Sequence, residues 1–429
     1  MKKKTLTLLF SLVLASLLLM ACGGEETSSD EGTTPADDTN EEVITLRMMG
    51  YNPESSRAQY LAYLDEQLPN INVEFEFVAL DNFNNVLNSQ LQAGEGPDII
   101  EVGGEAKLLA RANYLLDLTD HDFMSKYAAS GTAPYSVDGG VYAAPLQSWF
   151  EGFFYNKAIF EEYGVDVPRS LDQLIAISHE LKDQGMKPQA MGAQSWEPMM
   201  KQSIGIVNNE FYSDEANMAF NDDFNEGEAF LAEAWLPYVE QWYRLIEEGI
   251  LTQEMLGLSY DQALDDFATG KAAMWQSGPW AIETIYEKNS DIELGMFPIP
   301  GIEEGPGWLI GGPGSALAIN ANSKHIDEAL AVLELTATEE AQHKLVADNA
   351  GSSFLTGVEV DLGDVYADSE EAFALGNVYA PWTASWFSGN PIVESYGKSL
   401  QEVLSGTKTV EEALKDADET NKTLINTLN

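Results

Sequence analysis

From Val43 onward, short apolar or alternating runs take turns with stretches of helical spacing. Residues 43–49 predict a strand closed by Gly50-Tyr51-Asn52-Pro53, and 55–68 predict a helix. A strand over 72–78, a helix over 82–93 and a strand over 98–102 follow, separated by Pro69-Asn70 and by Gly94-Glu95-Gly96-Pro97. Strands alternating with helices at these crossover lengths predict a parallel sheet in an α/β protein. The Gly-Glu-Gly-Pro turn precedes a strand instead of opening a helix, so it does not read as a phosphate cradle.

Further on, 141–145 and 152–155 are predicted as two separate strands. Residues 157–163 predict a helix closed by Gly164, and 171–183 a helix capped by Ser170. Residues 191–196 predict a short strand with a polar, aromatic end, and helices cover 197–206, 227–248 and 261–268. Polar residues 208–226 are expected to be irregular. The stretch 267–280, FATGKAAMWQSGPW, joins the end of a helix at Gly270 to a buried strand at 272–275. It then turns through Gln276-Ser277-Gly278-Pro279 into a helix near Trp280. Residues 293–297 read as a strand, and 308–310 with 315–319 as a strand pair kinked at Gly311-Gly312-Pro313-Gly314. Helices at 325–336, 339–347, 370–375, 393–404 and 410–428 complete the chain.

The N-terminus stands apart. Lys2-Lys3-Lys4, an apolar run over 6–20 and Ala21-Cys22-Gly23-Gly24 form an export signal over residues 1–21. The run is too short to read as a membrane span. Cys22, the single cysteine, follows Leu19-Met20-Ala21, which resembles the bacterial lipobox, and is the expected lipidation site. Residues 22–42 are acidic and polar, and are expected to be a disordered tether.

At 429 residues the chain is long enough for two domains. Its formal charge of -48 repels nucleic acid and anionic headgroups, so neither is an expected partner. Enzyme signatures are weak: His121, His179, His325 and His343 show neither metal nor triad spacing, and no serine sits in a Gly-x-Ser-x-Gly elbow. No metal, cofactor or catalytic residue is expected.

Taken in order, GEGPDII at 94–100, GGVYAAP at 139–145, FFYNKAIFEEYGV at 153–165 and VPRSLDQL at 167–174 resemble one family. FATGKAAMWQSGPW at 267–280, IGGPGSALAINANSKHIDEALAVLE at 310–334 and SGTKTVEEALKDA at 405–417 continue the match. The family is the extracellular solute-binding proteins of ABC importers, and the nearest branch contains the maltose-binding protein. The resemblance implies a two-lobed, type II periplasmic-binding-protein-like fold, with the ligand held between lobes joined by crossing hinge segments. Carried onto this chain, one lobe takes 43–150 and 299–345, and the other 151–298 and 346–429.

It further implies a monomeric receptor on the outer face of the cytoplasmic membrane of a Gram-positive bacterium. Its partners are a neutral carbohydrate and the importer's permease subunits. A receptor for a non-sugar solute, a sensory receptor and a surface glycoside hydrolase are the alternatives.

A sugar presents apolar C–H faces and peripheral hydroxyls, so the site calls for aromatic rings beside amides, carboxylates and hydroxyls. Trp280 matches an aromatic that contacts sugar in the maltose-binding branch, and Trp196 and Tyr155 fall near other family positions. The further candidates are Tyr51, Asn52, Glu101, Trp149, Trp275, Gln276, Ser277, Trp308, Gly311, Gly312, Trp382 and Trp386, with Gln147 and Gln194 as additional polar groups. Each aromatic has core packing as its competing role.

Overall fold

The computed structural model describes residues 43–349, 351–358 and 363–428, so the export signal, Cys22 and the acidic tether lie outside the described residues. Ten strands are described: β1 (Ile44–Gly50), β2 (Ile71–Phe77), β3 (Ile99–Val102), β4 (Ser136–Val137), β5 (Gly140–Val141), β6 (Ala144–Asn156), β7 (Lys187–Ala190), β8 (Ala272–Ser277), β9 (Leu294–Phe297) and β10 (Ile310–Ile319). All but the small β4–β5 hairpin join one sheet in the order β2-β1-β3-β10-β6-β8-β7, with β9 also pairing β6. β1 runs parallel to β2 and β3, as the crossover lengths predict, and β7 is parallel to β8. β10 and β6 enter antiparallel.

β6 is the seam of the molecule. Its first half pairs β10, from Ala144 opposite Leu317 to Glu151 opposite Ile310. Its second half pairs β8 and β9, with Gly152 opposite Ser277 and Phe153 opposite Phe297. The pattern predicts two strands here, but the chain forms one of 13 residues. Nearly every side chain in it is buried, so the alternation that marks a half-exposed strand is missing. β10 is likewise one strand, its expected kink appearing as register shifts around Pro313 and Ser315. A Cβ on Gly311 would lie 2.2 Å from the Trp149 carbonyl oxygen, so glycine is what allows β10 to lie this close to β6.

Three other expectations change. The strand predicted at 191–196 lies earlier, at Lys187–Ala190. Pro188 and two polar residues disguise it, and its place at the sheet edge is what tolerates the proline. The long helix predicted at 227–248 is two, Leu231–Ala234 and Leu236–Glu247, the second opened by Pro237 in its first turn. Residues 208–226 are more ordered than their polarity suggests, ending in the helix Phe220–Glu226. Ser170 does cap its helix, accepting from Gln173 N at 3.2 Å.

Separate apolar cores back the two parts of the sheet, giving the two lobes of an α/β, type II fold. One packs Leu46, Met48, Ile99 and Leu317 against Tyr60, Leu64 and Leu333. The other packs Phe153 and Met274 against Met199, Ile204, Trp242 and Tyr396.

Candidate functional site

Parallel strands end with free backbone groups and loops on one side of the sheet, and ligands of open α/β folds collect there. A cleft of about 690 Å³ opens at this place. Tyr51 and Asn52 follow β1, Glu105 follows β3, Gln147, Ser148, Trp149 and Glu151 come from β6, and Trp280 follows β8. Trp196, Lys201 and Trp382 close it from the helical side.

The wall carried by β1 and β3 rests on a sealed ion pair. The Arg57 guanidinium contacts the Glu101 carboxylate, and the two residues are 1% and 0% exposed. Asn52 Nδ2 donates to the same carboxylate oxygen at 2.6 Å, so Glu101 orients an amide that lines the cleft without lining it itself. Tyr51 packs edge-on against Phe83 at 5.3 Å. Burial, with the charges of Glu101 and Glu105 adding to it, keeps the Tyr51 phenol protonated well above its usual range. Burial also pushes the Glu105 carboxyl up, despite the hydrogen bond it accepts from Gly103 N at 2.9 Å.

The opposite wall is built from β6, β8 and the helix Glu197–Val207. Lys201 Nζ donates to Glu151 at 2.5 Å and to Glu197 at 2.9 Å. Burial opposes the ammonium, but the two carboxylates outweigh it and hold Lys201 charged beyond the usual lysine range. Burial raises Glu151 against the pull of Lys201. Lys201 also sits 5.5 Å from the centroid of the Trp149 ring, and Trp382 lies 6.0 Å from Trp149 at 55°. Trp149 is therefore occupied by protein neighbours, whereas Trp280 is 47% exposed and its ring stacks on no other aromatic ring among the described residues. Gln147 is buried, lines the cleft, and its side-chain carbonyl oxygen has no hydrogen-bond partner among the described residues.

Of the residues singled out from the sequence, Tyr51, Asn52, Trp149, Trp196, Trp280 and Trp382 line this cleft, together with Gln147. The others lie behind it or away from it. Trp275 is buried against Phe154 and Phe267, and Ser277 is buried at the end of β8, where its hydroxyl meets that of Tyr260 at 3.0 Å. Gln276 is also buried on β8. Tyr155 donates to Asp368 at 2.6 Å and packs on Phe160. Trp386 stacks on Trp235 at 5.7 Å and donates to Asn221 at 2.9 Å. The Trp308 backbone pairs with Ile299, and Gly311 and Gly312 face Phe150 and Trp149 across the β10–β6 ladder. Gln194 is exposed.

Sequence reasoning missed Arg57, Glu105, Glu151, Glu197 and Lys201. One local signal was present: Glu197 and Lys201 stand at i,i+4 immediately after Trp196, a spacing that places both on one helix face. Beyond the cleft, Lys107 and Arg111 lie 5.3 and 4.7 Å from the Phe387 ring, tying the helix after β3 to the segment that carries Trp382. Among the described residues no group of His, Cys, Asp and Glu is arranged to hold a metal, and no helix is long and apolar enough to cross a membrane.

Residues 52–343 match the family model described as bacterial extracellular solute-binding protein. The chain is 24% identical over 366 residues to the multiple sugar-binding protein of Streptococcus mutans, covering 83% of this chain and 84% of that protein. It is 22% identical over 383 residues to the melibiose/raffinose/stachyose-binding protein of Bacillus subtilis, covering 86% and 85% respectively. In structure it is similar to a family 1 extracellular solute-binding protein from Bifidobacterium longum subsp. infantis, with a TM-score of 0.76 at 19% identity, over 89% of this chain and 100% of that one. The apo form of RafE from Streptococcus pneumoniae gives 0.73 at 20% identity, over 90% and 98%.

Proposed function

The chain belongs to the bacterial extracellular solute-binding proteins, and on that premise we propose that it captures a neutral carbohydrate in the cleft and delivers it to the permease subunits of an ABC importer. The observation that carries this reading is the cleft itself, where an open indole, Trp280, shares one space with the amide of Asn52 and the unpartnered acceptor of Gln147. A pyranose needs that combination: an apolar surface for its C–H face and fixed partners for its hydroxyls. The names of the sugar-binding relatives point the same way. Charge narrows the class. Among the described residues, Glu105, Glu151, Glu197 and Glu394 line the cleft against Lys201 alone, which disfavours an anionic ligand.

In this reading residues 43–150 and 299–345 form one lobe, and 151–298 and 346–429 the other. Ligand touching both walls favours the closed arrangement by its differential contacts. The protein performs no chemistry and acts as a monomer. Cys22 carries the acyl chains that hold it on the outer face of the cytoplasmic membrane, and residues 22–42 are the tether. Cys22→Ser is expected to move the protein from the membrane fraction to the medium; retention in the membrane would remove the anchor.

A thermal-shift screen over neutral mono- and oligosaccharides tests the main reading. A true ligand at a hundred times its Kd adds about 2.7 kcal/mol to the native state and raises Tm accordingly. Chromatography of the same incubations tests the absence of chemistry, since steady formation of shorter sugars would make the protein a hydrolase. No shift with any sugar, beside a shift with another solute, would replace the ligand class.

A further inference from the structure

Trp280 occupies an unusual position for a binding surface. It sits on the three-residue turn Pro279–Ala281, directly after β8, and its indole is half exposed. A half-exposed side chain on a short turn ordinarily keeps rotamer freedom, and ordering it on binding costs affinity. Here the ring is held at both ends. Its six-membered edge lies over Gly278, where a Cβ would come within 2.3 Å of Cη2. At the other end Nε1 donates to the Tyr260 hydroxyl at 3.1 Å. That hydroxyl accepts the indole proton, so its own proton is free to go to Ser277 Oγ, 3.0 Å away.

Tyr260 is itself fixed. It is the first residue of the helix Tyr260–Ala268, whose start is set by a capping box between Ser259 and Gln262. Its ring packs edge-on against the buried Trp275 at 5.1 Å. A relay therefore runs from the buried strand end at Ser277, through the phenol, to the exposed indole.

We propose that Tyr260 is a positioning residue of the ligand site, its hydroxyl holding the Trp280 indole in the orientation that presents its face to the cleft. The proposal rests on the reading of the cleft as a carbohydrate site, and Tyr260 does not line that cleft. Its contribution is preorganisation of a contact made by another side chain.

Tyr260→Phe tests it, because phenylalanine keeps the packing on Trp275 and removes only the hydroxyl. The first readout needs no ligand. The indole N–H resonance of Trp280, identified by its loss in Trp280→Phe, is expected to shift and to exchange faster with solvent in Tyr260→Phe, while the Trp275 resonance stays in place. An unchanged Trp280 resonance and exchange rate would overturn the proposal. The second readout is calorimetric titration with raffinose, stachyose and any sugar found by thermal shift. Affinity is expected to fall roughly three- to tenfold, the worth of one hydrogen bond. Equal affinity in the two proteins would also overturn it. Were the unmodified protein to bind no saccharide, the carbohydrate reading would fail, while the indole resonance would still decide whether Tyr260 holds Trp280.

Discussion

Each wall of the cleft contains an ion pair, but the two pairs face different ways. Arg57 and Glu101 are closed off from solvent, and their visible product is the orientation of Asn52. Lys201 and Glu151 form part of the lining, share their charge with the half-exposed Glu197, and place the ammonium over Trp149. The first pair is scaffold under the site and the second is part of its surface. Sealed charges are unforgiving, because removing one partner strands the other in a low dielectric. Charges that water reaches can relax by protonation or hydration.

Glu101→Gln should therefore have the largest effect on stability. It leaves Arg57 buried without its counter-charge, at an expected loss of about 3–5 kcal/mol, read by denaturant unfolding. A loss below that of the second wall's variant would break the comparison. That variant, Lys201→Met, is expected to cost less, roughly 1–2 kcal/mol, since Glu151 can take up a proton once its partner is gone. Its mark should instead be on ligand affinity, with Tm changing less than in Glu101→Gln.

The smallest effect concerns Glu105. Burial raises its folded-state pKa above the unfolded value, so the native state binds the proton more tightly. Its contribution to stability is thus full below about pH 4 and is lost as pH rises through the raised pKa. Glu105→Gln should be modestly more stable than the parent at pH 7, with the difference vanishing near pH 4. A difference that grows on acidification would reverse the sign of the argument.

Much of the fold was legible because its boundaries carry punctuation. Gly50, Pro69 and Gly94 mark the strands and helices of the first sheet segment to within three residues. β6 was not legible as one strand, because neighbours cover both of its faces and erase the period-two pattern. The aromatics at strand ends could be nominated from their place in the chain, but their exposure could not be. Trp275 and Trp280 are five residues apart, and only the second has left the sheet. The charged groups were the least visible. Arg57 meets Glu101 across 44 positions and Glu151 meets Lys201 across 50, and in a chain with 70 acidic residues nothing local distinguishes those glutamates from a solvated surface.

Paired calorimetric titrations of the parent protein and Trp280→Ala with the sugar that gives the largest thermal shift test the central claim most directly. The cleft account predicts saturable binding by the parent and a loss on the order of 1–3 kcal/mol in the variant, as for a stacked anchor removed from a desolvated site. Equal affinities would contradict it and place the ligand elsewhere on the molecule.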